Sequence, residues 1–471
     1  MRKLKTNFAS FVLVLLLLGQ GLFGWPQDIA GGASALAGQD IIGGAAIVFN
    51  RPPRVRDLSG GASMMLVQRR APRRPATPTE IARNRPPNPT QPQPGVAVPD
   101  TNAQNSNDEK ADAYNNQGNT LYDVGQYAKA IEAYKQALSF KPNDSLTYNN
   151  LGAAYFALNQ NNDAVAAFQS AVKAKSDDAE SYFNLGIAYN TTEKYDDAVG
   201  ALNKALALKP DWVEALSGLG DSYLSLNRFE DAAKAYETVV KLQPDNASAY
   251  SNLAFAYDRL SRYEDSITAL KKVVQLTPSD AFAYNNLGAA CYKAGRFKDA
   301  VDAFTRALQI KPDDAETQNN LGAAQYALEK YGDATNSFQQ AIKLKPTFAD
   351  AQYNLGNAFL MSAKFNESVD AYQQALRNRP DYGEAQNNLG IALTNLARHA
   401  DAVNAFREAA RLKPGLATVF NNLGFSEDKL GHAEEAIAAY KEAIRINPKY
   451  AKALNGLGYL YDKTGKPAEA I

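Results

Sequence analysis

Cysteine and histidine are scarce in this chain of 471 residues, which holds one cysteine and two histidines. A single cysteine cannot form a disulfide within the chain and cannot supply the clustered thiolates of a structural zinc site. We predict that Cys291 is a small core residue rather than a nucleophile. No cysteine or carboxylate is arranged around His399 or His432, so neither is expected to bind a metal or to act in catalysis.

Common catalytic motifs are also missing. The sequence has no phosphate-binding loop, no zinc-ligand spacing and no G-x-S-x-G motif. We therefore predict no catalytic residue, no metal and no cofactor. The formal net charge is zero, because 50 Lys and Arg balance 50 Asp and Glu. No basic stripe runs along the C-terminal three quarters, so nucleic acid is not an expected partner.

Proline and glycine mark a strict internal period. Proline recurs every 34 residues, or twice 34, from Pro142 to Pro448, and Ser176 stands at the one missing position. Glycine follows the same period, with Ala254 as the one exception. A fixed period of this length indicates a solenoid of stacked repeats. Ten full repeats and a partial eleventh begin at residues 111, 145, 179, 213, 247, 281, 315, 349, 383, 417 and 451.

Each repeat is predicted to form two amphipathic helices. Apolar residues fall at repeat positions 4, 7, 8 and 11, and again at 17, 20, 21, 24, 27 and 28, which is helical spacing. Proline ends the second helix, and the Asp or Asn behind it caps the next first helix. Small residues at positions 8, 20 and 27 predict close approach of the helices. Because Ala254 occupies position 8, we expect alanine to be tolerated there.

This pattern resembles the tetratricopeptide repeat over residues 111–471. The resemblance implies an all-α fold, a right-handed α-solenoid of antiparallel helix pairs in which the first helices line a concave groove. It also implies a protein-binding scaffold rather than an enzyme, because a stacked array offers a long surface and no deep pocket.

Two segments precede the repeats. Residues 1–37 open with basic residues and then a mostly apolar run from Phe11 to Gly24, which has the form of a secretory signal or an N-terminal anchor. We expect export across the inner membrane to a periplasmic, secreted or anchored location. Residues 38–110 are rich in Pro and Arg and are predicted to be a disordered linker. This linker is either a spacer or a basic arm for anionic lipid headgroups or an acidic partner.

The candidate peptide-binding residues are asparagines at repeat position 6, which faces the groove in the family. A primary amide both donates and accepts hydrogen bonds, so a row of amides matches an extended backbone. A similar asparagine ladder occurs in the repeat region of O-linked N-acetylglucosamine transferases. We expect position 6 to lie outside the core; the alternative is a family consensus without a bound peptide. The row comprises Asn116, Asn150, Asn184, Asn252, Asn286, Asn320, Asn354, Asn388 and Asn422.

Aromatic residues at neighbouring groove positions are candidate anchors for peptide side chains. They are Phe156, Phe183, Phe255, Tyr292, Tyr326 and Tyr353. Position 2 is acidic in six repeats, as at Asp112 and Glu180. Relatives that clamp a C-terminal carboxylate use Lys or Arg at positions 2, 5 and 6. Only Lys452 matches that pattern, so such a clamp is not predicted.

The predicted function is a non-catalytic scaffold that binds extended polypeptide in the groove. The chain stops at Ile471, inside a predicted second helix, whereas a solenoid normally ends in a polar cap. An alternative is therefore the repeat region or a fragment of a larger enzyme, such as a glycosyltransferase linked to these repeats. Self-association through the terminal helix is a third interpretation.

Overall fold

A computed structural model describes residues 107–466 of the chain, and every described residue outside turns is helical. The predicted all-α class is therefore confirmed for this part of the chain. The predicted signal segment 1–37, almost all of the linker 38–110 and the last residues, 467–471, lie outside the described residues. No helix among the described residues has the length and apolar character needed to cross a membrane.

The described residues divide into two compact units. The N-terminal unit covers residues 107–330 and the C-terminal unit covers residues 331–466 in their described parts. We call the helix that opens each repeat its first helix and the following one its second helix. The N-terminal unit contains α1 (Asn107–Asp123), α2 (Tyr127–Phe140), α3 (Ser145–Ala157), α4 (Asn161–Ala174), α5 (Ala179–Thr191), α6 (Tyr195–Leu208), α7 (Val213–Ser225), α8 (Phe229–Leu242), α9 (Ala247–Arg259), α10 (Tyr263–Leu276), α11 (Ala281–Lys293), α12 (Phe297–Ile310) and α13 (Ala315–Ala327).

The C-terminal unit begins with the second helix of the seventh predicted repeat. Its helices are α14 (Tyr331–Leu344), α15 (Ala349–Met361), α16 (Phe365–Asn378), α17 (Gly383–Asn395), α18 (His399–Leu412), α19 (Ala417–Lys429), α20 (Ala433–Ile446) and α21 (Ala451–Lys463). Within each unit a helix packs against the helices before and after it in the chain, which buries the two apolar stripes of every repeat.

Asp and Asn side chains start several of the first helices. Asp144 accepts a hydrogen bond from the backbone N–H of Thr147 at 2.9 Å, and Asn246 accepts from Ala249 at 3.0 Å. The predicted cap by an Asp or Asn behind the proline is confirmed at these sites, where the capping residue is the second one after the proline. Trp212 occupies the same position before α7 and makes no side-chain cap hydrogen bond. It packs in the core instead, at 4% exposure.

A left-handed residue at repeat position 15 turns the chain between the two helices. Gly125 has φ 76° and Gly295 has φ 74°, values that glycine adopts without steric cost. Other repeats place a residue with a Cβ there, and Ala363 has φ 56°. Those turns carry a backbone cost of about 1–2 kcal/mol that the packed helices on either side must offset.

Position 8 is the point at which the two helices of a repeat come closest. A Cβ placed on Gly288 would lie 2.7 Å from Cδ1 of Phe304, the ring at position 24, and Phe304 is fully buried. The predicted close approach at small residues is confirmed. Ala254 shares its cluster with Leu270, an aliphatic side chain at position 24. Alanine is therefore not expected to be neutral opposite an aromatic ring, which corrects the expectation drawn from Ala254.

Candidate peptide-binding surface

First helices of consecutive repeats contact one another directly, in addition to the second helices that lie between them in the chain. In the N-terminal unit these contacts join α1 to α3, α3 to α5, α5 to α7 and α11 to α13. Side-chain hydrogen bonds also join α7 to α9 and α9 to α11, so the first helices of this unit form a continuous layer. We call the surface formed by positions 2, 5, 6, 9, 12 and 13 of these helices the first-helix face.

Position-6 asparagines bond the repeats to one another. The Nδ2 of Asn150 donates to Oδ1 of Asn115 at 3.0 Å and to Oδ1 of Asn119 at 3.1 Å. Both acceptors belong to the preceding repeat, at positions 5 and 9. The hydroxyl of Tyr134, at position 24, donates to the same oxygen of Asn119 at 3.0 Å. One amide thus joins three helices through a buried hydrogen-bond network.

The same connection recurs in the C-terminal unit. The Nδ2 of Asn388 donates to Oδ1 of Asn357 at 2.9 Å and to the hydroxyl of Tyr353 at 3.2 Å. Tyr372 donates its hydroxyl to Asn357 at 2.7 Å. Asn388 is fully buried, so the expectation that position 6 lies outside the core is wrong there. Comparable donations to the preceding repeat are made by Asn252, Asn320 and Asn422.

Sequence reasoning missed the acceptors of this network. The sequence pattern that identifies these acceptors is Asn or Asp at position 9 together with Tyr at position 24 of the same repeat. This pairing occurs as Asn119 with Tyr134, Asp221 with Tyr236, and Asn357 with Tyr372. A polar residue that accepts from its own repeat and from the next one is a structural requirement rather than a groove feature.

Asn184 and Asn286 differ from the other position-6 asparagines. Each is 5% exposed, its side-chain oxygen Oδ1 has no hydrogen-bond donor within residues 107–466, and its Nδ2 does not donate to the preceding repeat. Position 9 of the preceding repeat is Ala153 in one case and Phe255 in the other, and neither side chain can accept a hydrogen bond. Neither amide can therefore make the bond to position 9 that Asn150 makes to Asn119.

The neighbouring position-5 side chains also have other partners. Asn149 precedes Asn184 by one repeat and donates instead to Asp178 at 3.3 Å and to Ser181. Ser251 precedes Asn286 by one repeat and donates to the carbonyl oxygen of Ala247 at 3.0 Å. Neither neighbour forms the contact to position 6 that Asn115 forms to Asn150. The remaining two members of the row are half-buried Asn116 and fully buried Asn354.

Three of the six candidate aromatic anchors lie in the core. Phe156 and Phe183 are each 4% exposed and Tyr353 is 2% exposed. Phe183 packs on Trp212 with ring centroids 4.5 Å apart. These rings fill space between helices and offer no exposed face, which corrects their assignment as groove anchors. Phe255, Tyr292 and Tyr326 are half-buried.

Phe255 lies on α9, at position 9 of the repeat before Asn286, and Tyr292 follows Asn286 by six residues on α11. Phe255 contacts Phe229 edge-on, with centroids 6.3 Å apart, and burial raises the pKa of Tyr292 above its usual value. Asp258 follows Phe255 by three residues and Lys293 follows Tyr292 directly, and Nζ of Lys293 lies 2.7 Å from both carboxylate oxygens of Asp258. We call these five residues, Asn286, Phe255, Tyr292, Asp258 and Lys293, the α9–α11 cluster.

The other predicted residues agree with structural roles. Cys291 is 1% exposed, and burial raises the pKa of its thiol to about 11, so it is a core residue as predicted. His399 is half-buried, and burial together with the charge of Lys429 lowers the pKa of its imidazole. Nδ1 of His432 lies 2.9 Å from Oε2 of Glu427, and Oε1 of the same carboxylate accepts a hydrogen bond from Arg407 at 2.7 Å. Within residues 107–466, no group of three His, Cys, Asp or Glu side chains is arranged to hold a metal.

Family models match nearly all of the described chain. Residues 91–321 match the C-terminal domain of cilia and flagella-associated protein 70. A tetratricopeptide-repeat model matches residues 326–362 and 426–465, and a second such model matches residues 362–417. No curated protein matches the sequence.

Several solved structures are similar to this chain. A crystal structure of MamA is 28% identical, covers 34% of this chain and 95% of its own, and superposes with a TM-score of 0.34. YrrB, described as a repeat protein with an unusual peptide-binding site, is 23% identical, with coverages of 40% and 97% and a TM-score of 0.36. Yeast Tom70 is 18% identical, with coverages of 77% and 90% and a TM-score of 0.37.

Proposed function

The chain belongs to the tetratricopeptide-repeat proteins, whose repeats form protein-interaction scaffolds, and we propose that it binds an extended polypeptide on the first-helix face of its N-terminal unit without catalysing a reaction. The observation that carries this proposal is the pair of unsatisfied amides, Asn184 and Asn286. A buried polar group without a partner costs about 1–3 kcal/mol, and a bound backbone would remove that cost.

The α9–α11 cluster has the chemistry that an extended peptide requires. A primary amide offers two donors and an acceptor, which matches the alternating C=O and N–H groups of an extended backbone. Phe255 on α9 and Tyr292 on α11 offer half-buried rings against which an apolar side chain can pack. Asp258 and Lys293 neutralise each other, so this part of the face does not favour a charged residue.

This proposal divides the asparagine row into two groups with different functions. Asn150, Asn252 and Asn388 donate to the preceding repeat and hold neighbouring repeats together. Asn184 and Asn286 have no such bond and are assigned to the peptide. We therefore propose recognition at two separated points rather than a uniform clamp along every repeat.

A displayed library of random peptides provides the test, because no natural partner is required. We expect selected peptides to bind the full chain, and Asn286→Ala to weaken binding by about fivefold or more while thermal stability stays unchanged. Asn388→Ala is the matched control, since it removes the same amide from a bonded position. It should lower thermal stability and leave binding unchanged. The opposite pattern would show that the unsatisfied amides do not recognise peptide.

We also propose that the protein is exported. The support is the sequence of residues 1–37, which begins with three basic residues among its first five and continues into an apolar run. Fractionation of cells that express the full chain should recover it outside the cytoplasm. Replacing Leu15 and Leu16 with Arg should retain it inside, because charges in the apolar run block membrane insertion.

A further inference from the structure

The first helices of the N-terminal unit are acidic. They carry nine carboxylates and three cationic side chains. The second helices of the same unit carry eleven carboxylates and ten cationic side chains, so their charges nearly balance. The first helices of the C-terminal unit carry five carboxylates and three cationic side chains. Ion pairs occur in both units, as between Asp350 and Arg379 and between Asp258 and Lys293. The larger excess of negative charge therefore belongs to the first helices of the N-terminal unit.

The same surface has hydrogen-bond acceptors without donors. The side-chain oxygens of Asn149, Asn184 and Asn286 are buried and have no hydrogen-bond donor among the described residues. All three lie on first helices of the N-terminal unit. Removal from water raises the pKa of Glu180 on α5, and the charge of Asp178 adds to the effect. Carboxylates and unsatisfied carbonyl oxygens together indicate a ligand that is cationic and rich in donors.

Arginine meets both requirements. Its guanidinium group carries five N–H donors, has no acceptor and keeps its charge at every physiological pH. It also stacks on aromatic rings. A proline-rich chain favours an extended backbone, which suits a long shallow surface and loses little conformational entropy on binding.

Such a sequence is present in this chain. Residues 51–85 contain nine arginines, two carboxylates and several prolines. Only residues 86–106 separate this segment from α1, and 21 residues can span about 70 Å when extended. Packed helices lie about 8–10 Å apart, so the five steps from α1 to α11 cover about 50 Å. The segment is therefore within reach of α5 to α11 on the same molecule.

We propose that residues 51–85 bind in cis to the first-helix face of the N-terminal unit and compete there with the polypeptide partner. The inference rests on the proposed function, because both ligands use the same surface. A tethered ligand has an effective concentration near the millimolar range, so even a weak interaction keeps the face occupied. A partner must displace the segment to bind, and salt weakens the segment more than it weakens a neutral peptide.

A labelled synthetic peptide of residues 51–85 tests this competition against three forms of the full chain. The unmodified chain should bind the peptide weakly, because its own segment occupies the face. A neutralised chain, with the nine arginines of 51–85 changed to Gln, should bind it at least tenfold more tightly. Adding Asp112→Asn, Glu180→Gln and Glu214→Gln to the neutralised chain should remove that gain. These three carboxylates lie on first helices and cap no helix.

The matched control changes the same amount of charge on second helices. The neutralised chain with Asp163→Asn, Asp196→Asn and Asp302→Asn should bind the peptide as tightly as the neutralised chain alone. Equal weakening by both triple variants would overturn the proposal, because it would show that only net charge matters. Failure of the neutralised chain to bind the peptide would overturn it as well.

Two further measurements separate the alternatives. Light scattering of the unmodified chain should give a monomer at all concentrations, and a mass that rises with concentration would mean that the segment binds a second copy. Flotation with phosphatidylglycerol vesicles should show little binding, and strong arginine-dependent flotation would make the segment a membrane arm. If library peptides still require Asn286 while the 51–85 peptide never binds, the proposed function stands and this inference fails.

Discussion

Gly288→Ala is the substitution whose expected effect differs most between the sequence and the structure. The added Cβ would lie 2.7 Å from Cδ1 of Phe304, about 1 Å closer than two carbon atoms at their optimal separation. Phe304 is fully buried, so its ring cannot move into solvent. Overpacking of this kind costs about 1–3 kcal/mol, and the better helix propensity of alanine returns about 1 kcal/mol. We expect a net local destabilisation of about 1 kcal/mol.

Cys291 provides the assay, because it lies on the same helix, three residues after Gly288. The thiol is 1% exposed and its pKa is raised to about 11, so a thiol reagent reaches it only when this repeat opens. A local loss of about 1 kcal/mol should speed native-state labelling about fivefold. Phe304→Leu should suppress this effect, because the pair then resembles Ala254 and Leu270 of the preceding repeat.

Gly200→Ala is the matched control in the same unit. No atom lies within 4 Å of a Cβ built at Gly200, in the middle of α6. Alanine should therefore raise the thermal midpoint there and leave Cys291 labelling unchanged. The reasoning would be refuted by labelling of Gly288→Ala at the unmodified rate. It would also be refuted if the effects of Gly288→Ala and Phe304→Leu simply added, because contact between the two side chains requires a coupling energy.

Three further substitutions test separate features. Ala363→Gly should raise stability by about 1 kcal/mol in urea unfolding, since glycine adopts φ 56° without strain. The same change at Ala351, which is fully buried in the first turn of α15, should lower stability. The pKa of His399 is lowered in the folded chain, so the unfolded chain binds a proton more readily and stability should fall as the pH drops below about 6.5. In the His399→Phe variant the thermal midpoint should change less between pH 7 and pH 5. Lys293→Met removes the cation that pairs with Asp258, which is 8% exposed, and should lower the urea midpoint. Adding Asp258→Asn should restore most of the lost midpoint.

The all-helical fold could be predicted from the sequence because its information is local and repeated. A helix pair needs an apolar stripe, a turn and a stop, and each of these occurs within 34 residues and recurs in every repeat. The first-helix caps at Asp144 and Asn246 depend on residues three positions away. The burial of Cys291 followed in the same way from its place in the stripe.

The function of each position-6 asparagine could not be predicted from the row itself. Whether such an amide bonds within the fold depends on positions 5 and 9 of the preceding repeat, 35 and 31 residues earlier. Asn150 finds the acceptor Asn119 at position 9 of the preceding repeat, whereas Phe255 occupies that position before Asn286 and cannot accept a hydrogen bond. The sequence by itself determined the period, the helix pairs and the close approach at position 8, because these depend on spacing along one chain segment. Tertiary structure alone decided which asparagines are satisfied and which rings are buried, because hydrogen bonding and burial depend on the neighbours that stacking brings together.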